Sequence, residues 1–549
     1  MWIFRAVALD LDNTLSTRER VAPEVLAALD EIRESRALVL VTGRTMAELD
    51  RAFPGLAGHF DAVVCENGAA LRVGSSCRVL HEPVDLALDQ ALADRGISSS
   101  RGQVLLAIDG ADAGGAADAI ATLGLDHHVV RNRYAAMVLP AGVTKASGLL
   151  TALDDLGLSP HNTIAVGDAE NDLSMLRAAE VGVAVADAVP AVVDHADLLL
   201  RHGNGEGVLE LLHGPLLRGH GRLCPQRRRI TIGCYDDGEE VRIPASQASV
   251  LVTGDTGAGK SFLAGLLAER WIQDGYSVLV VDPEGDHIGL AEQPGVHLVD
   301  AAARLPAPHE LMELMRPRQT SLVLDLSGLS TDEQLGYLRR LPEAVAAQRG
   351  RHGFPHWVVY DEAHMHAWLG EAAAGRGAVP EAGTCLVTWQ PELLPEALVH
   401  GFQIRLEVGG GPANGSGPLR AVLHTLDGSR RLRVGRRQSP HVRHWHKYAA
   451  APLPTAQRFW FHVEPGASPQ VAATLDDFCR LVRHCDAATL DFHLGRQDFS
   501  RWVTGTLSDQ QLGAELAAIE RDHGARHAAS LELARQQVSD AIRARYREG

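Results

Sequence analysis

Short apolar runs separated by longer stretches of helical periodicity recur along most of this chain. Residues 1 to about 212 alternate strand-like and helix-like segments. Residues 248 to about 435 resume the pattern, with apolar runs at 249–253, 277–281, 321–326, 356–360 and 384–388. Strands alternating with helices predict parallel sheets, so the fold class is α/β. A Gly/Arg/Pro stretch over 213–228 reads as a linker. A hairpin-like pair, 230–235 and 240–243 around Asp236-Asp237-Gly238, opens the second region. After about 438 the texture changes to aromatic and histidine-rich pieces, followed by one long helical pattern over 509–545. The expected organisation is a domain over 1–212, a linker over 213–228, a domain over 229–437 and a mainly helical C-terminal region over 438–549.

Composition narrows the class of molecule. A chain of 549 residues can bury several cores. No uncharged apolar run reaches the roughly 18 residues of a membrane span. The strand-like start lacks the basic, apolar and small-residue order of a signal peptide. Seven scattered cysteines without zinc-ligand spacing read as reduced thiols, which together with the foregoing predicts a cytoplasmic protein. A net charge of −17 argues against non-specific nucleic-acid binding by the whole chain, so nucleic acid is not the favoured partner. Only Lys145, Lys260 and Lys447 are lysines among 52 basic residues, and the first two fall in phosphate-handling segments.

The opening Val7-Ala8-Leu9-Asp10-Leu11-Asp12 is an apolar strand delivering two aspartates two residues apart. Alternation puts both on one face at the strand's C-terminal end, where open α/β sheets bind ligands. One carboxylate can attack phosphorus and the other can protonate the leaving oxygen. Anions so close call for a cation, and hard oxygens suit Mg²⁺. Val39 to Thr42 is a strand ending in a hydroxyl that, with nearby backbone N–H groups, can hold phosphate oxygens. Lys145 supplies a positive charge for the phosphoryl group. Ile164-Ala165-Val166-Gly167-Asp168-Ala169-Glu170-Asn171-Asp172 is a further strand ending in acids; Asp168 is the expected side-chain metal ligand, with Asn171 and Asp172 completing or buttressing the shell.

These four segments in this order resemble the haloacid dehalogenase superfamily of phosphatases, most closely the Cof-type and sugar-phosphatase branch. Glu66-Asn67-Gly68-Ala69 fits that branch's Asn-Gly step before its cap. The resemblance implies a Rossmann-like three-layer core, an α/β cap over about 75–140 and an aspartyl-phosphate on Asp10. It also implies acid/base work by Asp12, whose backbone carbonyl would bind Mg²⁺, and a small phosphorylated metabolite as substrate.

The second region carries a strand, Val250 to Thr253, running into Gly254-Asp255-Thr256-Gly257-Ala258-Gly259-Lys260-Ser261 and an apolar helix. Glycines let backbone N–H groups approach phosphates, Lys260 can reach the β- and γ-phosphates of ATP, and Ser261 can hold Mg²⁺. Downstream, the strand ending in Asp361 and Glu362 offers a partner for that metal and a group to polarise water. With Val281-Asp282-Pro283-Glu284-Gly285-Asp286 and Thr388-Trp389-Gln390-Pro391, these segments resemble HerA/FtsK-type P-loop ATPases over about 229–435. The resemblance implies γ-phosphate sensing at Gln390, homo-oligomeric rings that pump DNA or protein, and an arginine reaching a neighbour's nucleotide. Arg339, Arg340, Arg351, Arg376 and Arg405 remain open for that role.

The C-terminal region holds no interpretable motif; His444 and His446, and the cluster of His493, Arg496, Asp498 and Arg501 beside Phe499 and Trp502, read as surface and packing features. The expectation is a bifunctional Mg²⁺-dependent hydrolase joining a phosphatase to an ATPase. The alternative is an ATP-driven translocase or remodelling module, for DNA processing or phage defence, with an accessory phosphatase.

Overall fold

The computed structural model describes residues 4–219, 221–255, 258–316, 320–365, 380–409, 419–425, 428–439, 443–444, 453, 455, 458–462, 470–507, 509–526 and 531–547. The chain forms two compact units. The first comprises Met1–Arg229, Arg316–Arg318 and Ala346–His356; the second comprises Ile230–Met315, Gln319–Val345 and Trp357–Gly549. No helix among the described residues is long and apolar enough to cross a membrane.

The first unit is built on strands β1 (Ala6–Asp10), β2 (Ala37–Val41), β3 (Ala62–Cys65), β4 (Ala70–Val73) and β5 (Ser76–Val79). A separate four-stranded sheet holds β6 (Ser99–Arg101), β7 (Leu106–Asp109), β8 (His127–Asn132) and β9 (Ala135–Pro140). The main sheet then regains β10 (Thr163–Gly167), β11 (Val181–Ala184) and β12 (Leu198–Leu199). Its order is β12-β11-β10-β1-β2-β3-β4-β5. It is parallel from β12 to β3 and antiparallel beyond. Every residue of β1 and β10 is buried, which is why these strands read as continuous apolar runs rather than alternating ones. Because β1 and β10 are parallel neighbours, with Leu9 opposite Val166, their C-terminal ends bring Asp10 and Asp168 to one edge.

The antiparallel sheet β6-β7-β9-β8 interrupts the chain between β5 and the helix Lys145–Asp155. Helices Leu86–Ala93 and Ala113–Leu123 share its core through Leu88, Leu92, Leu106, Ile108 and Ile120. Residues 213–228 fold within the first unit, where the Arg227 guanidinium bonds the Asp197 carboxylate at 2.7 Å and the Ala179 carbonyl at 2.8 Å. Ala346–His356 belongs to the same unit. Asn162, at the head of β10, donates to the Gly353 carbonyl at 3.1 Å, and His356 Nε2 lies 2.9 Å from Asn162 Oδ1.

The second unit has an eleven-stranded sheet. Its strands are β13 (Arg229–Tyr235), β14 (Glu240–Pro244), β15 (Val250–Gly254), β16 (Val278–Asp282), β17 (Val296–Asp300) and β18 (Ser321–Asp325), followed by β19 (Trp357–Tyr360), β20 (Thr384–Thr388), β21 (Ile404–Val408), β22 (Arg420–Thr425) and β23 (Gly428–Val434). The order is β14-β13-β23-β22-β21-β15-β20-β19-β16-β18-β17, parallel from β21 to β17. Four of these strands, β17 and β21 to β23, do not stand out as apolar runs. β17 is an edge strand with only Val296 buried, and β23 alternates exposed arginines with Leu432 and Val434.

The single long helix expected over 509–545 is instead two, Gln510–Arg526 and Leu531–Arg545, with 527–530 outside the described residues. Leu512 and Leu516 of one, and Val538 and Ile542 of the other, enter a single core with Phe478 and Phe499. One straight helix of that length could not place both sets in one core. His493 joins the same cluster, with Nδ1 at 2.9 Å from Asp498, so this polar group is a packing feature.

Candidate active site

At the C-terminal edge of the first unit's sheet, three carboxylates surround one ammonium. Lys145 opens its helix, behind a Thr144 cap, and is buried. Its Nζ bonds Asp10 Oδ1 and Asp172 Oδ1, both at 2.5 Å. Burial alone would lower the lysine's pKa, but the carboxylates of Asp10 and Asp172 override it and hold the ammonium charged. Burial pushes the Asp10 carboxyl well above the usual range; Asp172 and Asp168 add to this and Lys145 opposes it. Asp168 is likewise raised, by burial first and then by Asp172. Oxygen atoms of Asp10, Asp168 and Asp172 lie within 4.8 Å of one another, and all three residues are buried.

The supporting bonds explain why these residues sit here. Asp172 Oδ2 accepts from the backbone N–H groups of Asp168 and Ala169, both at 2.9 Å, which folds the acidic turn back on the strand end. A Cβ at Gly167 would lie 2.5 Å from the Asp172 carboxyl carbon, so only glycine permits that fold. Asn171 Nδ2 donates to Asn67 Oδ1 at 3.1 Å, leaving Asn171 Oδ1 buried without a hydrogen-bond partner among the described residues. Thr14, which sequence reasoning passed over, donates to Asp168 Oδ1 at 3.1 Å.

Two further expected residues are bonded by Arg44. Asp12 is gripped by Arg44, whose Nε and Nη2 each donate at 2.8 Å to one carboxylate oxygen. Both of its carboxylate oxygens are thereby engaged, two residues beyond Asp10. Thr42 is buried at the end of β2, and its hydroxyl accepts from the Arg44 N–H at 3.2 Å.

The sheet of β6 to β9 meets the site at two places. Glu66, buried and at φ 50°, accepts from the N–H groups of Gln103, Val104 and Leu105 at 2.9, 2.8 and 3.2 Å. Glu66→Ala is expected to cost about 2–4 kcal/mol, because three backbone donors lose their acceptor. Urea denaturation of the whole chain measures it. Arg133, in the turn between β8 and β9, donates from Nε to Asp168 Oδ2 at 2.6 Å.

In the second unit, β15, β20, β19 and β16 are consecutive and parallel, so their C-terminal ends share one edge. Gly254 ends β15 at φ 146°, where a Cβ would lie 2.2 Å from the Val408 carbonyl oxygen. Thr256 and Gly257 lie outside the described residues. Gly259, at φ 101°, precedes the helix Lys260–Gln273, and buried Lys260 donates from Nζ to the Asp255 carbonyl at 3.0 Å. Ser261 is buried in the first turn of that helix.

Asp361 follows β19. Its Oδ1 accepts from the Glu362 N–H at 2.9 Å and its Oδ2 lies 2.8 Å from His287 Nε2. Asp282 accepts from the N–H groups of Gly285, Asp286 and His287. Burial pushes its carboxyl up to about 7, with Asp286 and Asp361 adding and His287 opposing. Glu362 is buried, at φ 47°, with a carboxylate oxygen 3.3 Å from His364 Nδ1. The Trp389 indole N–H donates to His364 Nε2 at 3.1 Å. Indole is a donor only, so Nε2 accepts and the imidazole proton sits on Nδ1, facing Glu362. Gln390 follows β20 and is half-buried, its N–H donating to Thr388 Oγ1 at 3.0 Å. His287 carries no motif of its own and meets Asp361 only through the fold, across 74 positions, whereas His364 follows Glu362 by two residues.

Residues 121–212 match the family model described as haloacid dehalogenase-like hydrolase. Residues 234–359 match the one described as the central domain of helicase HerA. Phosphoglycolate phosphatase 2 of Saccharolobus solfataricus is 32% identical over 214 residues, covering 38% of this chain and 90% of that protein. A phosphoglycolate phosphatase of Methanothermobacter thermautotrophicus is 30% identical over 221 residues, covering 38% of this chain and 96% of that protein. Among solved structures, a haloacid dehalogenase-like hydrolase from Bacteroides thetaiotaomicron is 21% identical, covers 38% of this chain and 98% of that one, and has a TM-score of 0.33.

Proposed function

We propose that this chain, which belongs to the haloacid dehalogenase-like hydrolases through its first unit and carries the HerA central-domain match in its second, is a bifunctional Mg²⁺-dependent hydrolase. The first unit hydrolyses phosphomonoesters through an aspartyl-phosphate on Asp10, and the second binds and hydrolyses ATP. The observation that carries the first reading is the buried trio of Asp10, Asp168 and Asp172 around a single ammonium.

The residues fit a hard divalent cation. Three carboxylates still outnumber the two cations that bond them, Lys145 and Arg133, and Asn171 Oδ1 is buried without a partner among the described residues. Asp10 and Asp168, with the backbone carbonyl of Asp12, would hold Mg²⁺; Asn171 and Asp172 would complete or buttress that shell. Bound there, the ion neutralises charge on the transferring phosphoryl group. Lys145 fixes the Asp10 carboxylate through Oδ1, leaving Oδ2 for attack on phosphorus. Thr42 and neighbouring N–H groups hold phosphoryl oxygens. Asp12, protonated once it leaves Arg44, gives its proton to the leaving oxygen as the ester P–O bond breaks; its carboxylate then takes a proton from the water that attacks the aspartyl-phosphate, releasing phosphate and restoring Asp10.

In the second unit, Gly254 to Gly259 would cradle phosphates, Lys260 would pair with them, Ser261 and Asp361 would support Mg²⁺, and Glu362, 3.3 Å from His364, would polarise water. Gln390 reads the γ-phosphate. A small phosphorylated acid is the proposed substrate of the first unit, because curated relatives at 32% and 30% identity are named phosphoglycolate phosphatases.

Phosphate release from 2-phosphoglycolate, sugar phosphates and p-nitrophenyl phosphate, with Mg²⁺ and with EDTA, tests this. Mg²⁺-dependent release with preference for the short acid is expected. Saturating Mg²⁺ should also raise the melting temperature, since an ion at 100 times its Kd adds about 2.7 kcal/mol to the native state. No release from any ester with Mg²⁺ present sinks the reading. The HerA match supports a second one, an ATP-driven translocase with an accessory phosphatase; ATP turnover stimulated by DNA would favour it.

A further inference from the structure

We infer that Arg133 is the residue through which the small sheet recognises a carboxylate on the substrate; this rests on the phosphatase reading above. Arg133 occupies the turn between β8 and β9 at φ 50°, a left-handed conformation uncommon for a residue with a side chain. Three contacts hold it over the trio. Its backbone N–H donates to Glu170 at 3.0 Å, Nε to Asp168 Oδ2 at 2.6 Å and Nη2 to the Asp187 carbonyl at 2.9 Å. The backbone bond anchors the turn independently of the side chain.

Among the described residues, no other side chain of this small sheet bonds the trio. Its guanidinium is partly exposed, whereas the Asp168 carboxylate beneath it is buried. Asp168 Oδ1 is already engaged by Thr14. A cation bound by Asp168 therefore competes with Arg133 for the remaining oxygen and repels its guanidinium. Once displaced, that head group stays tethered over the site by the bond to Glu170. Its planar pair of N–H groups matches a carboxylate, which a point charge does not. A Cβ at Gly43 would lie 3.3 Å from Met137 Sδ, so Met137 of β9 packs against Gly43, the neighbour of Thr42. The ligand class is a short phosphorylated carboxylic acid, its phosphoryl group at Asp10 and its carboxylate at Arg133.

The test compares wild type, Arg133→Ala and Arg133→Lys as full-length chains. KM and kcat are measured on 2-phosphoglycolate and on p-nitrophenyl phosphate, which has no carboxylate, and Mg²⁺ binding is measured by calorimetry without substrate. Arg133→Ala is expected to raise KM for 2-phosphoglycolate about 10²-fold, the scale of losing a bidentate charged partner. KM for p-nitrophenyl phosphate should rise far less than KM for 2-phosphoglycolate, and Mg²⁺ should bind more tightly because its competitor is gone. Arg133→Lys should recover only part of the KM. Equal losses on both esters, or none on either, overturn the assignment to the carboxylate. A wild-type protein that releases phosphate from neither ester with Mg²⁺ instead overturns the phosphatase reading on which it rests.

Discussion

Asp10→Asn is expected to lower kcat for phosphomonoester hydrolysis about 10⁴-fold or more, the scale on which loss of a covalent nucleophile acts. The amide keeps the shape of the carboxylate and removes its charge. Stability should move the other way. The Asp10 carboxyl is raised in the fold, by burial and by its acidic neighbours, so its contribution is full below the ordinary carboxylate pKa and is lost as pH rises through the raised value. The variant has no such loss. Without metal, its melting temperature should therefore equal or exceed that of wild type, increasingly so toward alkaline pH. Lys145 keeps its second partner, Asp172, at 2.5 Å. Initial rates of phosphate release, with melts in EDTA across pH, measure both effects. Activity within tenfold of wild type would remove Asp10 from the nucleophile's role.

The second large effect concerns Lys260. Lys260→Ala should weaken binding of a non-hydrolysable ATP analogue about 10²-fold or more, as expected for losing a buried charged donor to a phosphate. The lysine is placed by Gly259 in the left-handed region, and its Nζ rests on the loop's own Asp255 carbonyl. A phosphate oxygen would take over that donor. Phosphatase rates should stay within about twofold, because the nucleotide loop and the aspartate trio belong to different units of the chain. Calorimetric titration decides the point, and unchanged affinity would end the assignment of this loop to nucleotide.

The contrast between local and distant contacts explains what could be read from sequence. Asp10, Asp168 and Asp172 lie at the ends of short buried strands, so apolar patterning locates them and strand adjacency joins them. Lys145 heads a capped helix and stands out as one of three lysines. The partners are different. Thr14 meets Asp168 across 154 positions and Arg44 meets Asp12 across 32. No periodicity encodes such pairings, and the turn of Asp12 toward Arg44 follows from one of them. Strand β17 was missed because an exposed edge strand does not form an apolar run, and β23 because its outward residues are arginines. The long terminal pattern gave helix correctly but hid its division, since both halves share the same composition.

Ala346–His356 has a practical consequence for dissecting this protein. The segment is encoded more than a hundred positions after Arg229, yet supplies the first unit with His356 and Gly353 against Asn162. A fragment ending at Arg229 would uncover buried Asn162 at the head of β10, the strand that leads to Asp168. The complementary fragment would carry His356 without its amide partner, one residue before the strand that leads to Asp361. The two units are thus interleaved in the sequence, and expressing either alone is expected to disturb the start of a central strand. Silencing each site by point substitution in the intact chain is the sound way to separate them.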